Sequence, residues 1–460
     1  MTGERFATGD PAPAPEAARD LAERVLGMVR ERAASAEAEV LVHAGTLALT
    51  RFANSTIHQN VAEDVNRVSI RLALDGRVAS SRLDGRAGEL DLSALVDGLF
   101  AAARVSPVDP DWPGLAGPAA PLDVEHWDEA TAAASPADRA SRVAAFVAAA
   151  DGLETAGALS TEAANVSFLN TAGQAVSGRG TVATIDGIAR TGTSDGVARW
   201  SSVAIADIDG QAMGERAGRA ARDSANPGEI EPGRYEVALS PSCVADVLGF
   251  LVNNGFGGRA VEERRSFVEL GELQLDRSIT IRQDITHPRI TGVAFDAEGT
   301  PREQVDLVRD GVSRALLHDR RTAHKAGAPS TGNAVAGSNQ FGSVSATAVL
   351  VPGESGFEEL VRGVERGILV SDFWYTRVLD PRTLVVTGLT RNGVWRIEDG
   401  RIGKPVQNLR FTQSYPDAVA PDAVRAIGSD SALFPDGLEA ALLVPSLQLA
   451  SWNFTGGAKG

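Results

Sequence analysis

The chain has 460 residues, 43% of them hydrophobic, and 44 Lys plus Arg against 60 Asp plus Glu leave a formal charge of −16. A field of that sign repels a phosphate backbone and excludes nucleic acid as a partner, while the single cysteine, Cys243, excludes an intrachain disulfide and a thiolate-cluster metal site. No window approaches the roughly 20 apolar residues of a membrane-spanning helix and the start carries no signal-peptide core, so the expectation is a cytoplasmic, soluble protein of two or three domains with no membrane partner.

Residues 1–14, rich in Pro, Ala and charge, are expected to form a disordered tail. An amphipathic helix follows, with Leu21, Val25, Leu26 and Val29 on one face. EVLVHAGTLALTRFANSTIHQNV and NRVSIRLALDGRVASSRLDG have the alternating, β-branched character of paired strands, with Asp75 and Gly76 as a turn. The helix LSALVDGLFAAARVS closes an N-terminal α/β domain over 15–105. Pro and Gly crowd 106–124, which reads as a surface linker.

The recipe repeats over 125–225: an Ala-rich helix near 136–150, strands around 155–208 and a helix near 209–223. The break SANPGEIEPG opens a strand-rich C-terminal domain over 226–460. Its predicted helices lie near 242–252, capped by Ser240 or Ser242, and near 355–366, capped by Ser355. The predicted class is α+β, with two N-terminal α/β pieces followed by a β-rich C-terminal domain. Within the first of these helices Val244, Val247, Leu248 and Leu251 form an apolar stripe that should bury against the C-terminal strands.

Several motifs have a chemical and a plainer reading. GTSDG, 192–196, fits a serine nucleophile on a strand-to-helix turn, but the strand-like VARWSSVAIADI after it predicts a hairpin turn. His318 and His324 flank Asp319 at a spacing that suits neither helical ligands nor a finger, which favours hydrogen-bonded or solvated imidazoles. NNGFGGRA and STGNAVAGSNQFG do not follow a strand and open a helix as a dinucleotide fingerprint must, and turns explain them. The charged run Arg259, Glu262, Glu263, Arg264 and Arg265 reads as a solvated face, with Arg259, Glu262 and Arg265 as candidates for a peptide groove.

Taken together, RFANSTIHQNVAEDVNRVSIRLALDGRVAS, the helix from Ser240, GRAVEERRSF, STGNA, VPGESGFEELVRGVERGILV and GRIGKPVQNLRFT resemble the TldD/PmbA (TldD/TldE) family, in the family's order. The resemblance implies cytoplasmic peptide hydrolysis by zinc in a TldD-type subunit, paired with a TldE/PmbA-type subunit to enclose a cavity. It also implies an H-E-x-x-x-H zinc helix and a cysteine ligand near the C-terminus. Matching the family's helix glycine to Gly249 sets Ala245 and Phe250 at the histidine positions, Asp246 at the glutamate and Glu439 at the cysteine. Alanine and phenylalanine have no lone pair for zinc.

The resemblance therefore implies a TldE/PmbA-type subunit with no catalytic residue, metal or cofactor of its own, and zinc only in a TldD-like partner. The expected partner is such a zinc-bearing homologue in a heterodimer or, alternatively, a second copy of this chain in a homodimer, and the substrate is an unfolded or extended peptide. Strand addition near 195–206 or 345–351 is the expected way to hold such a peptide. Two alternatives stay open: a hydrolase with a non-zinc site at Ser194 or at His318, Asp319 and His324, and a homodimeric peptide-binding protein.

Overall fold

The structure is a computed structural model that describes residues 15–85, 91–336 and 342–457; the expected tail over 1–14 lies outside them. Helix α1 (Pro15–Arg32) leads into three strands, β1 (Glu37–Ala53), β2 (Thr56–Leu74) and β3 (Arg77–Gly85), and then α2 (Leu92–Val105). Val25, Leu26 and Val29 of α1 are buried, as their spacing predicts. Two left-handed dipeptides close the hairpins: Asp75 and Gly76 at φ 52° and 73°, and Asn54 and Ser55 at φ 49° and 57°. The second turn splits what reads in sequence as one strand, because Asn and Ser carry a weaker turn signal than Asp-Gly.

Two short helices, α3 (Glu129–Ala132) and α4 (Pro136–Ala149), precede β4 (Glu154–Asn170), β5 (Ala175–Arg190) and β6 (Asp195–Ser202), and α5 (Gly210–Asp223) follows. The two N-terminal pieces share one antiparallel sheet of order β3-β2-β1-β4-β5-β6, since β1 pairs with β4 from Glu39 opposite Asn170 to Phe52 opposite Gly157. The even-numbered face of β1 (Val40, Val42, Phe52) packs on α1, α2, α4 and α5. The odd-numbered face turns toward the C-terminal half, where Leu41 and Phe168 meet Phe295. With both faces covered, the second half of β4 is buried without alternation, Asn165, Ser167 and Asn170 included. Residues 106–124 are coil, strapped down where Asn170 Nδ2 donates to the Ala116 carbonyl (2.7 Å) and Arg320 Nη2 to that of Leu115 (2.8 Å).

The C-terminal half starts with β7 (Gly233–Leu239), α6 (Pro241–Gly255) and α7 (Gly258–Glu262). A mixed sheet follows, built from β8 (Ile281–Gln283), β9 (Val305–Arg309), β10 (Val312–Ser313) and, beyond α8 (Arg320–Ala326), β11 (Thr347–Leu350). After α9 (Phe357–Arg362) come β12 (Arg366–Asp380), β13 (Val385–Glu398), β14 (Arg401–Pro405), β15 (Leu409–Ser414), α10 (Tyr415–Ala418) and β16 (Val424–Ile427). Strands β17 (Ala432–Asp436) and β18 (Ala440–Val444) complete the mixed sheet, and β19 (Leu447–Gly457) ends the described chain.

Strands β12-β7-β19-β15-β13 close into a barrel because β13 pairs with both β15 and β12, so that none of the five keeps a free edge. Its interior is aromatic: Trp452 is fully buried, with Phe373, Phe411 and Tyr415 at ring-centroid distances of 5.1, 5.3 and 5.6 Å. The α+β class and the β-rich C-terminal half hold.

Three local expectations change. Helices α3, α7, α8 and α10 have no counterpart among the predicted elements, each being too short to show a period. Helix α9 is capped by Gly356 with no side-chain bond, and Ser355 instead bridges to Gly428. Strand β11, expected as an open edge at 345–351, lies between β8 and β18.

Candidate functional site

Helix α6 begins at Pro241, which suits the first helical position. Ser240 stands at its N-cap, but its hydroxyl donates to the Ser371 carbonyl of β12 instead of capping. The stripe Val244, Val247, Leu248 and Leu251 is buried in the main C-terminal core, where α6 packs on β12 and β18. Ala245 is buried with it, and the Phe250 ring stands edge-on to Tyr415 at 5.8 Å.

Asp246 is closed off as well. Its Oδ1 accepts from Thr376 Oγ1 (2.7 Å) and its Oδ2 from the Tyr415 hydroxyl (2.6 Å). Burial pushes the Asp246 carboxyl above its ordinary pKa, while these bonds hold it down; burial, then the Asp246 charge, push the Tyr415 phenol up. One turn earlier Ser242 donates to Asp372 (2.7 Å), which also receives Asn392 (3.0 Å) and Arg199 of β6 (3.0 Å), tying the N-terminal sheet to the barrel.

These residues do not fit zinc. Ala245 and Phe250 offer no donor, both Asp246 oxygens are already engaged, and a catalytic zinc takes three protein ligands. Glu439 does not join them: it sits in the β17–β18 turn and accepts from Arg67 of β2 (2.7 Å). Among the described residues no group of three or more His, Cys, Asp or Glu is placed to hold a metal ion.

Glu439 belongs instead to a cleft between the odd face of the N-terminal sheet and the loops around 293–302 and 436–439. Strand alternation puts Glu39, Leu41 and His43 of β1 on this face, opposite Arg71, Ser69 and Arg67 of β2. At one end Arg71 Nη2 bridges Glu39 (2.7 Å) and Glu298 (2.8 Å), its guanidinium stacked 4.9 Å from the Trp112 ring, beside a cavity of about 280 Å³. Burial raises the pKa of Glu39 and of Asp296 behind it.

At the other end a cavity of about 300 Å³ holds His43, Glu162 and Glu439. Burial, then the Glu439 charge, push Glu162 up to about 7. Burial, then Arg67 and Arg82, take His43 down to about 4, so near neutrality His43 is uncharged, and its 3.7 Å approach to Glu162 is neither an ion pair nor a hydrogen bond. The sequence signal for this face was the polar half of the β1 and β2 alternation, which reads equally well as solvent-facing.

The other candidates do not line this cleft. GTSDG forms the β5–β6 hairpin turn, and Ser194 Oγ donates to the Ala221 carbonyl (2.6 Å). Asp319 caps α8 through the Thr322 amide (2.7 Å), buried His318 meets Thr322 Oγ1 at 3.2 Å, and His324 is exposed. Glu262 accepts from Lys325 (2.6 Å), while Arg259 and Arg265 both reach Glu263 (2.8 and 2.7 Å), a surface ladder of small energetic weight.

The sequence model of the PmbA/TldA metallopeptidase C-terminal domain matches residues 232–456. A metalloprotease of Methanothermobacter thermautotrophicus is 27% identical over 229 residues, 48% of each chain, so the match spans about half the length of that relative. TldE from Thermococcus kodakarensis superposes with a TM-score of 0.83 at 17% identity, over 96% of this chain and 100% of that one. A Thermotoga maritima protein described as a candidate modulator of a DNA gyrase gives 0.81 at 18% identity, over 95% and 100%. These structures share the fold from end to end, and residues 232–456 form a C-terminal domain of the PmbA/TldA metallopeptidase family.

Proposed function

We propose that this chain is the metal-ligand-lacking subunit of a TldD/TldE-like cytoplasmic peptide hydrolase, which completes a cavity with a zinc-bearing homologue and helps to hold unfolded or extended peptides. The observation that carries the reading is the closed arrangement on α6: Asp246 is held between Tyr415 and Thr376, with Ala245 and Phe250 packed beside it. Where the family resemblance puts a general base and two imidazoles, this chain has a saturated hydrogen-bond pair in an apolar wall. The metallopeptidase domain match and the metalloprotease relative support peptide hydrolysis as the chemistry of the assembly. The serine and histidine alternative loses support, because Ser194 and Asp319 are engaged with backbone. Among the described residues no helix is long and apolar enough to cross a membrane.

Co-expression with an H-E-x-x-x-H homologue tests the reading. Zinc per subunit and cleavage of an unfolded peptide are measured for each chain alone and for the mixture. Cleavage by the pair, with zinc confined to the homologue, is expected. Tightly bound zinc and chelator-sensitive cleavage by the isolated chain would overturn it, and a two-fold dimer that binds peptide without turnover would replace it with the binding-protein reading.

A further inference from the structure

The Arg71 end of the cleft contains polar atoms that the proposed pairing does not use. The Glu39 side chain is only 6% exposed and lines the cavity of about 280 Å³; its Oε1 takes Arg71, and its Oε2 is buried with no partner. Ser69 Oγ and Arg71 Nε, on the same sheet face, are buried without partners too. The neighbouring acids are complete. Glu298 takes Arg71 at Oε1 and the Arg320 amide at Oε2 (2.8 Å), while Asp296 takes the amides of Glu298, Thr300 and Ala334.

Glu39 and Glu298 therefore share one guanidinium, and the acceptor left over is the Glu39 oxygen that nothing meets. A buried polar atom left unmet costs about 1–3 kcal/mol, and a charged acceptor is met best by a charged N–H. The cavity is several times the ~30 Å³ share of one water, so it admits an amine with its first carbon atoms.

We propose that this cavity is a subsite for a primary ammonium group, held by Glu39 Oε2 and Ser69 Oγ. The identification of the ligand as part of a peptide rests on the function proposed above, and the ammonium is then either the amino terminus or a lysine side chain. Arg71 Nε offers a donor for the carbonyl that follows an amino-terminal ammonium, and the Trp112 ring holds that guanidinium in place. Burial keeps Glu39 above the usual carboxylate range, so an ammonium that supplies the missing partner also draws it into the ionised form.

Calorimetric titration of the isolated full chain with trialanine amide, its N-acetylated form and n-butylammonium tests the assignment. Saturable binding of a free amine and none of the acetylated peptide is expected, with Glu39→Gln weakening binding about tenfold or more and Ser69→Ala a few-fold. Binding of trialanine amide alone identifies the amino terminus, and binding of n-butylammonium alone identifies the lysine side chain. Equal binding of acetylated and free peptide, no saturable binding of any probe, or undiminished binding to Glu39→Gln overturns the proposal. If Glu39→Gln does not fold, Ser69→Ala and the three probes on the native chain decide it. Because neither a partner nor cleavage enters the measurement, its failure and the failure of the pairing reading are distinguishable.

Discussion

Asp246 on α6 and Glu39 on β1 are both buried carboxylates whose pKa is raised by desolvation, and the difference between them lies in what meets the second oxygen. Asp246 has Thr376 on one oxygen and Tyr415 on the other. Glu39 has Arg71 on one and nothing on the other. A saturated buried acid is part of a wall. An unsaturated one beside a cavity keeps capacity for a ligand, at a cost in stability that a purely structural position would have no reason to retain.

The sharpest way to break the comparison is at Arg71. Arg71→Met keeps a long side chain but strands Glu39 and Glu298 without their cation, and removing one member of a buried charge cluster costs about 3–5 kcal/mol. Denaturant unfolding at neutral pH should show that loss, and it should shrink on acidification as Glu39 takes up a proton. A variant as stable as the native chain would mean that the cluster is hydrated and the cleft open.

The matching change on the sealed side is Asp246→Ala. It leaves the Tyr415 hydroxyl buried without its acceptor and should cost about 1–3 kcal/mol, with no change in the metal content of the purified chain. Unfolding midpoints and elemental analysis check both halves.

The smallest effect concerns pH. Glu162, raised to about 7 from 4.5, is harder to ionise in the folded chain than in the unfolded one, so the folded state binds more protons between those values and stability falls as pH rises through that window. Glu162→Gln removes the ionisation and should stabilise the chain by about 1–2 kcal/mol at pH 8, with no gain below pH 4.5. Thermal melts across that range test it, and a variant that loses stability at pH 8 would show that Glu162 is held ionised by Arg67.

Much of this architecture was legible in local pattern. The helical stripe of α1, the Ala-rich α4, the Asp75–Gly76 turn and the apolar face of α6 all follow from periodicity or turn chemistry, and each is where it was expected. Short helices such as α8 were not legible, because seven residues span barely two turns and their only mark is a capping aspartate. The α6 substitutions could be noticed from the family pattern, but not what had replaced the metal chemistry: Thr376 and Tyr415 stand 130 and 169 residues away from Asp246.

By itself, then, the sequence determined which segments could be helix or strand, that α6 would bury one face, and that positions 245 and 250 bring no metal donor. It could not determine which side of a β-strand meets solvent. Glu39, His43 and Arg71 have the alternation of an exposed face, and only the docking of a segment more than two hundred residues later, with Glu298 227 residues from Arg71, turns that face into a cleft. The physical reason is that alternation encodes two faces without saying what each will touch, whereas burial, and with it every raised pKa and unmet oxygen in the cleft, depends on which distant surface arrives there.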